Sequence, residues 1–408
     1  MRPMPGGNRP EVLPEDRQPV IMAALRSPLC RAQGALRTLQ AHELIAPVLR
    51  GLLTDTGIAA DEVSDVVVGN AVGGSGNVAR LAALEAGLPV SVPGLTVDRQ
   101  CGSGLDAIVL ACRLIASGGG FGGGPGHGDV YLAGGVESIS TAPLRARPGP
   151  GGEPQFFSRA RFAPDSHGDP DMGLAAENVA VRFGISRQRQ DDFALRSQRR
   201  ALGAAAAGAF EGEVVALPGP EGPVGADDGP RRSLTPAVLA RFPAAFVPDG
   251  TVTAGNSCFD ADGAAAVVVT SLARAKAVGA RDGLVLLGTD TAGVEPALLG
   301  MGAAAAAERL LAATGVTAAE LSLIEFNEAF ASQVLACLDH LGIDPQRANL
   351  DGGALALGHA YGASGAALVT RLLAQARREE AERTLALAMI SIAGGMGTAA
   401  LFEYRSFL

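Results

Sequence analysis

The chain reads as an α/β protein built on a mostly parallel sheet, and three observations predict this. Short apolar runs such as Val66-Val67-Val68 lack alternation, as strands covered on both faces do. Helical patterns separate these runs through most of the chain, which is the rhythm of βαβ units. The rhythm also occurs twice, before Ser140 and after Thr251, suggesting two copies of one βαβ-based fold.

Taken in order, residues 20–24 form a first strand, ended by the turn at Arg26-Ser27-Pro28. Residues 42–53 place Leu44, Ile45, Val48, Leu49 and Leu52 at helical spacing. A strand at 63–69, a helix at 77–87 and a strand at 92–98 lead to Cys101, and an apolar helix follows at 105–115. Residues 117–128 are too Gly-rich to pack a core and read as a mobile surface loop. After a strand at 129–133, residues 141–250 turn rich in Arg, Pro, Gly and Asp, with helices at 173–183 and 187–210. This stretch reads as a loop domain inserted over the sheet. Strands at 264–271 and 284–289 resume the alternation. A helix at 303–314, a strand at 323–326, a helix at 329–341 and a short strand at 349–351 come next. A helix at 362–378 and strands at 384–391 and 398–404 close the chain. The expected organisation is a disordered tail at 1–18, a first half at 19–140 with 251–282, the loop domain at 141–250, and a second half at 283–408.

Bulk composition narrows the function classes. A net charge of −9 with a single lysine, Lys276, argues against a nucleic-acid surface, which needs clustered cations on phosphates. No run approaches the ~18 apolar residues of a membrane span, and the first residues lack the apolar core of a signal peptide, so a cytoplasmic protein is expected. Cys30, Cys101, Cys112, Cys258 and Cys337 are scattered without CxxC spacing, which predicts free thiols and no metal site. Cys112 and Cys337 fall within helical patterns and read as core; Cys30 reads as structural.

Polar side chains at Gly-framed element ends carry the chemistry. Cys101, in Cys101-Gly102-Ser103-Gly104, stands at the first turn of a helix, where free N–H groups lower a thiol pKa and favour the thiolate nucleophile. His359 lies between glycines in a loop before a helix, a setting for an acid/base group. Asn327 follows a strand end and reads equally as a helix cap or as a site residue.

Several motifs, in order from Val20 to Phe402, resemble the thiolase family. Cys101-Gly102-Ser103-Gly104 is similar to its nucleophile motif, and Gly134-Gly135-Val136-Glu137-Ser138 to its strand–loop signature. The stretches around Met172 and Ala254 resemble its coenzyme A segments, while Asn327-Glu328-Ala329-Phe330 and Gly358-His359 resemble catalytic segments. The resemblance implies a five-layered αβαβα fold of duplicated halves, a homodimer or homotetramer, and acyl-CoA as substrate with no permanently bound cofactor. It implies Cys101 as the acyl-carrying nucleophile, His359 as base and donor, and Asn327 with backbone N–H groups near Cys101 and Gly395 as oxyanion holes. Met172, Ala254, Cys258 and Phe330 are then expected on the coenzyme A side. Arg145, Arg147, Arg159, Arg161, Arg182 and Arg187 read either as contacts to its phosphates or as a solvated charged face.

The chain departs from the family pattern where a second catalytic cysteine is expected. Ser391 stands there, in Ser391-Ile392-Ala393-Gly394-Gly395, and an unassisted hydroxyl is no base near neutral pH. Alanine follows His359 in place of proline, and Cys258 stands in place of a serine, either as a packed small residue or as a compensating thiol. Three functions fit: C-acyl transfer by condensation or thiolysis of 3-oxoacyl-CoA, a specialised acyltransferase or decarboxylative condensing enzyme using Cys101, His359 and Asn327, or a degenerate relative that only binds acyl-CoA or serves as a structural subunit.

Overall fold

In the computed structural model, residues 13–407 are described except 75, 119–127 and 381. Nine strands run side by side: β1 (Pro19–Arg26), β2 (Asp65–Gly69), β3 (Gly94–Val97), β4 (Val130–Glu137), β5 (Ala261–Ser271), β6 (Asp282–Gly293), β7 (Leu323–Phe326), β8 (Leu385–Ile392) and β9 (Met396–Ser406). Their spatial order is β7-β8-β9-β6-β1-β5-β4-β2-β3, with Cys30–Arg31 paired to β5 off this path. The order mirrors itself about the β1–β6 junction, where only Val20↔Val285 and Ile21↔Leu284 pair. The two halves are thus duplicates: β1, β5, β4 and β2 correspond to β6, β9, β8 and β7.

The sheet is mixed, contrary to the mostly parallel one expected. Only β2–β3, β2–β4 and β7–β8 are parallel; the other neighbouring pairs are antiparallel. The cause is topological. β9 returns from β8 through a tight turn, and β5 enters after the long insert, so neither arrives by a right-handed helical crossover.

Alternation along the strands divides the core. In β4, Leu132 and Val136 face a cluster under α1 (Ala41–Thr56) and α2 (Val78–Glu85). Tyr131 and Ala133 face the central helices α3 (Ser103–Ala116) and α8 (Tyr361–Glu379). In the second half Leu387 and Met389 face α6 (Gly302–Thr314) and α7 (Ala331–Leu341), and Ala388 and Ile390 face α3 and α8. Outer helices, sheet half, central helix pair, sheet half and outer helices make the five layers. The stretch Pro296–Thr314 is long and apolar enough by composition to cross a membrane; here α6 lies on β6, β8 and β9.

Several expected elements differ. Residues 13–18 of the expected tail are ordered: Glu15 and Gln18 carbonyls accept the N–H groups of Ala273 and Leu272, and Glu15 pairs with Lys276. Residues 1–12, and 119–127 of the Gly-rich loop, lie outside the described residues. The short strand at 349–351 is absent, because Asn349 turns the chain with φ 52° and leaves a single bridge, Ile324 to Ala348. Residues 141–250 hold two hairpins (Arg145–Pro148 with Pro154–Phe157, Leu217–Gly219 with Gly222–Val224) as well as α4 (Met172–Phe183) and α5 (Arg187–Ala206).

The central helices approach each other most closely at glycines. A Cβ on Gly104 would lie 2.5 Å from the Gly362 carbonyl oxygen, and one on Gly365 2.6 Å from the Leu105 nitrogen. A Cβ on Gly135 would lie 1.9 Å from the same Gly362 oxygen, so β4 is fitted against the start of α8 as closely. Gly135→Ala is therefore expected to lower stability by about 3 kcal/mol, from the cost of overpacking. A thermal melt checks this; an unchanged midpoint would show that α8 moves aside freely.

Candidate active site

Cys101 lies in a tight turn between β3 and α3. Gln100 has a left-handed φ of 48°. Ser103 Oγ closes the turn, accepting from the Arg99 N–H at 2.8 Å and donating to the Gln100 carbonyl at 2.6 Å. A Cβ on Gly102 would lie 2.4 Å from Ile392 Cδ1, so this glycine lets the end of β8 close on the turn. The Ala393 backbone N–H then points at the Cys101 sulfur, joined by the N–H of Cys101 itself.

These donors do not make the thiol acidic, as its place near a helix start had suggested. Burial pushes the Cys101 thiol up to about 12, and the carboxylates of Glu137 and Asp98 add to the shift. The helix starts only at Ser103, with Gly102 as its cap, so the sulfur stands before the first turn. Desolvation outweighs the two N–H groups.

His359 occupies the turn between the short helix Ala354–Leu357 and α8. Its N–H donates to the Phe259 carbonyl at 2.9 Å, and its carbonyl accepts from Ala261 at 3.2 Å. Nδ1 shares a 2.7 Å hydrogen bond with Ser364 Oγ, while Nε2 is buried without a partner. Only 3% of the residue is exposed, and burial pulls its pKa down to about 4, so the imidazole is neutral at neutral pH. Asn327, the first residue past β7, is fixed by its N–H on the Met389 carbonyl (3.2 Å), and its Nδ2 is likewise buried and unpartnered. A buried donor without a partner, such as the Asn327 amide, is where a ligand's oxygen belongs.

A cavity of about 420 Å³ joins Cys101, His359 and Ser391 with Met172, Cys258 and Phe330. Phe162, Phe246 and Leu299 make its wall largely apolar. Two expected residues are not brought to it. Ala254 is exposed on the loop before Asn256. Gly395, with φ 83°, uses its carbonyl to accept from Val294, and the N–H that reaches Cys101 is that of Ala393. The positive φ of both Gly394 and Gly395 carries the chain away from the cavity after Ala393. Asn327 is not itself on the cavity wall, where its neighbours Ala329 and Phe330 are.

Ser391 is on the wall, but its hydroxyl is fully engaged. It donates to the Gly300 carbonyl at 2.7 Å and accepts from the Ala303 N–H and Gln333 Nε2, each at 3.1 Å. A hydroxyl in that network joins β8 to α6 and α7 and takes no proton from a ligand. Of the insert's arginines, Arg145 and Arg159 reach the cavity. Arg159 pairs with Asp169, Arg161 with Asp165 and Arg187 with Asp191, and the guanidinium groups of Arg147 and Arg182 lie over Phe157 and Phe183.

Sequence reasoning missed the two buried carboxylates that hold the site. Glu137 accepts from Gly362, Ala71 and Val72 N–H groups and from Asn70 Nδ2; burial pushes it up to about 7. Glu328 accepts from Ser197 Oγ, Asn349 Nδ2 and the Leu355 N–H, and so ties β7's end to the segment before His359. Both lie inside the motifs already singled out, the available signal.

The neutral thiol has a direct consequence. Alkylation of Cys101 by a neutral haloacetamide should accelerate about tenfold per pH unit from pH 7 to 10, following the thiolate fraction. Peptide mass spectrometry of the modified residue reads the rate; a plateau below pH 8 would instead reveal a thiolate–imidazolium pair.

Comparison with known proteins agrees with this geometry. Residues 19–273 match the family model of the thiolase N-terminal domain, and 284–404 that of the thiolase C-terminal domain. YhfS of Bacillus subtilis, a candidate acetyl-CoA C-acetyltransferase, is 43% identical over 386 residues, covering 94% of this chain and 98% of its own. VraB of Staphylococcus epidermidis, given the same candidate activity, is 42% identical over 391 residues, with 95% and 98% covered. The crystal structure of the Bacillus anthracis acetyl-CoA acetyltransferase superposes with a TM-score of 0.86 at 34% identity, covering 95% of this chain and 99% of that one. The protein is an acyltransferase enzyme, and it belongs to the thiolase family.

Proposed function

We propose that the protein transfers acyl groups from coenzyme A thioesters to carbon through an acyl-enzyme on Cys101. The observation that carries this reading is the cluster around one sulfur: two backbone N–H groups beside it and an unpartnered imidazole nitrogen in the same cavity.

In this reading His359 Nε2 takes the Cys101 proton as the sulfur attacks the thioester carbonyl. The neutral imidazole suits that task, since a protonated one could accept nothing. The N–H groups of Cys101 and Ala393, aimed at the sulfur in the free enzyme, receive the developing oxyanion. Protonated His359 and the free Asn327 amide then stand ready for the carbonyl oxygen of a second thioester, whose enolate attacks the acyl group on Cys101. Arg145 and Arg159 at the cavity suit the anionic groups of coenzyme A.

The engaged Ser391 hydroxyl favours a second reading, in which the carbanion arises by decarboxylation of a malonyl-type thioester and needs no base. Acetyl-CoA alone and acetyl-CoA with malonyl-CoA separate the two: 3-oxoacyl-CoA formed from acetyl-CoA alone supports the first, and formation only with malonyl-CoA supports the second. Wild-type protein should gain one acetyl group, mapped to Cys101, and Cys101→Ala none. Acylation elsewhere, or none with any acyl-CoA, would sink both readings. Asn327→Ala is expected to retain acylation and to lower condensation by the equivalent of about 3 kcal/mol.

We propose further that two copies pair along β3. This strand forms one end of the sheet, and Leu95 on it, with Leu81, Leu84 and Val90 nearby in sequence, is exposed. Light scattering should give twice the chain mass for the wild type and the single mass for Leu95→Asp; a monomeric wild type would refute the pairing.

A further inference from the structure

The acyl-enzyme reading leaves one proton without an acceptor. Condensation of two acyl-CoA molecules removes a hydrogen from the α-carbon of the second, and the hydroxyl of Ser391 is committed to Gly300, Ala303 and Gln333. The other titratable groups on the cavity wall are mostly occupied. Tyr361 donates its phenol to Asp260 at 2.6 Å, and Ser257 donates to the Thr253 carbonyl at 2.7 Å. His359 already holds the Cys101 proton once the acyl group is loaded. Asp260 is exposed at the rim.

Cys258 remains. The backbone places it between the two catalytic loops: its N–H donates to the Ala329 carbonyl at 2.9 Å, and Ser257 bridges to Phe330. Two residues on, Asp260 bridges to His359, and the Phe259 carbonyl and Ala261 N–H clamp the backbone of that histidine. Cys258 therefore lines the same cavity as Cys101 and the unpartnered His359 Nε2, on a segment that both loops hold in register. Burial and the neighbouring Asp260 and Cys101 push its thiol well above the ordinary range, so its thiolate, once formed in the cycle, is strongly basic.

We propose that Cys258 is the proton-transfer group for the α-carbon, a task that the chain has placed at this position and not at Ser391. The proposal rests on the acyl-enzyme reading. The protons balance over one turnover. As Cys101 is acylated, its proton passes to His359, and the departing coenzyme A thiolate takes the proton of Cys258 and leaves as the thiol. The Cys258 thiolate then removes a proton from the α-carbon of the second acyl-CoA: a C–H bond breaks, an S–H bond forms, and the electron pair becomes the enolate. The enolate carbon attacks the acyl carbonyl on Cys101, the carbon–sulfur bond breaks, and the released Cys101 thiolate recovers its proton from His359.

The test separates loading from deprotonation. Full-length wild type, Cys258→Ala, Ser391→Ala and Asp260→Asn are each incubated with acetyl-CoA in deuterated buffer. Mass spectrometry follows acetylation of Cys101 and deuterium in the acetyl methyl group of the thioester. Acetylation of Cys101 certifies that each variant is folded. The expected result is that Cys258→Ala still acetylates Cys101 but incorporates deuterium about a hundredfold more slowly or less, within the usual range for loss of an acid/base group. Ser391→Ala and Asp260→Asn should slow incorporation much less than that. Normal incorporation in Cys258→Ala, a wild type that acetylates without incorporating deuterium, or a larger loss in either other variant would overturn the proposal while leaving the acyl-enzyme intact. A wild type that does not acetylate Cys101 would overturn the acyl-enzyme reading itself.

Discussion

The site depends on the close approach of two helices at glycines. Gly104 on α3 and Gly362 and Gly365 on α8 let backbone meet backbone, and Gly135 on β4 adds a third close surface. Cys101 and His359 stand just before these helices, one from each half of the duplicated fold. Glu137 fastens the arrangement by accepting the Gly362 N–H at 3.0 Å while it holds Ala71 and Val72. A methyl group at any of these glycines would separate the halves by a distance that matters for chemistry, since reacting atoms must meet within a few tenths of an ångström of their productive positions.

The second theme is that the two side chains expected to react, Cys101 and His359, rest uncharged. A buried thiol and a buried imidazole, each shifted toward its neutral form, cost less to enclose than a thiolate and an imidazolium would. In the proposed reaction the charge would arise beside the N–H groups of Cys101 and Ala393. Farther from the sulfur, a group of ionised side chains is paired. Arg26 and Arg371 share Glu213, and Arg371 also meets Asp351, which Arg378 and Gln375 hold as well. That network braces the loop leading to His359 without placing a net charge near the sulfur.

Much of this was legible in the sequence. Apolar runs and helical spacing located most of the strands and helices, because burial on both faces leaves a composition that solvent-exposed strands do not have. The direction of strands was not legible: nothing in the residues of β5 or β9 records which way a neighbour runs, and a long insert or a tight turn decides it. Of the residues singled out in the sequence, the cavity brings together Cys101, His359, Ser391, Met172, Cys258 and Phe330, whereas Asn327, Ala254 and Gly395 are not on its wall. Gly395 failed for a specific reason. The donor at Cys101 is a backbone N–H, which any residue type supplies, so Ala393 carries no mark of it. The sign of the thiol shift was also hidden, since local helix geometry is visible in sequence and the depth of burial is not.

The mirrored halves give one pair of residues unequal fates. Asn70 and Asn327 each follow the corresponding strand of their half, β2 and β7. Asn70 spends its amide hydrogens on the Val136 carbonyl and Glu137, at 2.9 and 2.7 Å, and so belongs to the scaffold. Asn327 leaves its own amide unsatisfied in a dry interior. A duplicated fold has this latitude: one copy of a side chain can be saturated and stiffen the frame, while its counterpart stays hungry for a guest. Repetition supplies the frame twice, and the departure from symmetry leaves one buried amide without a partner.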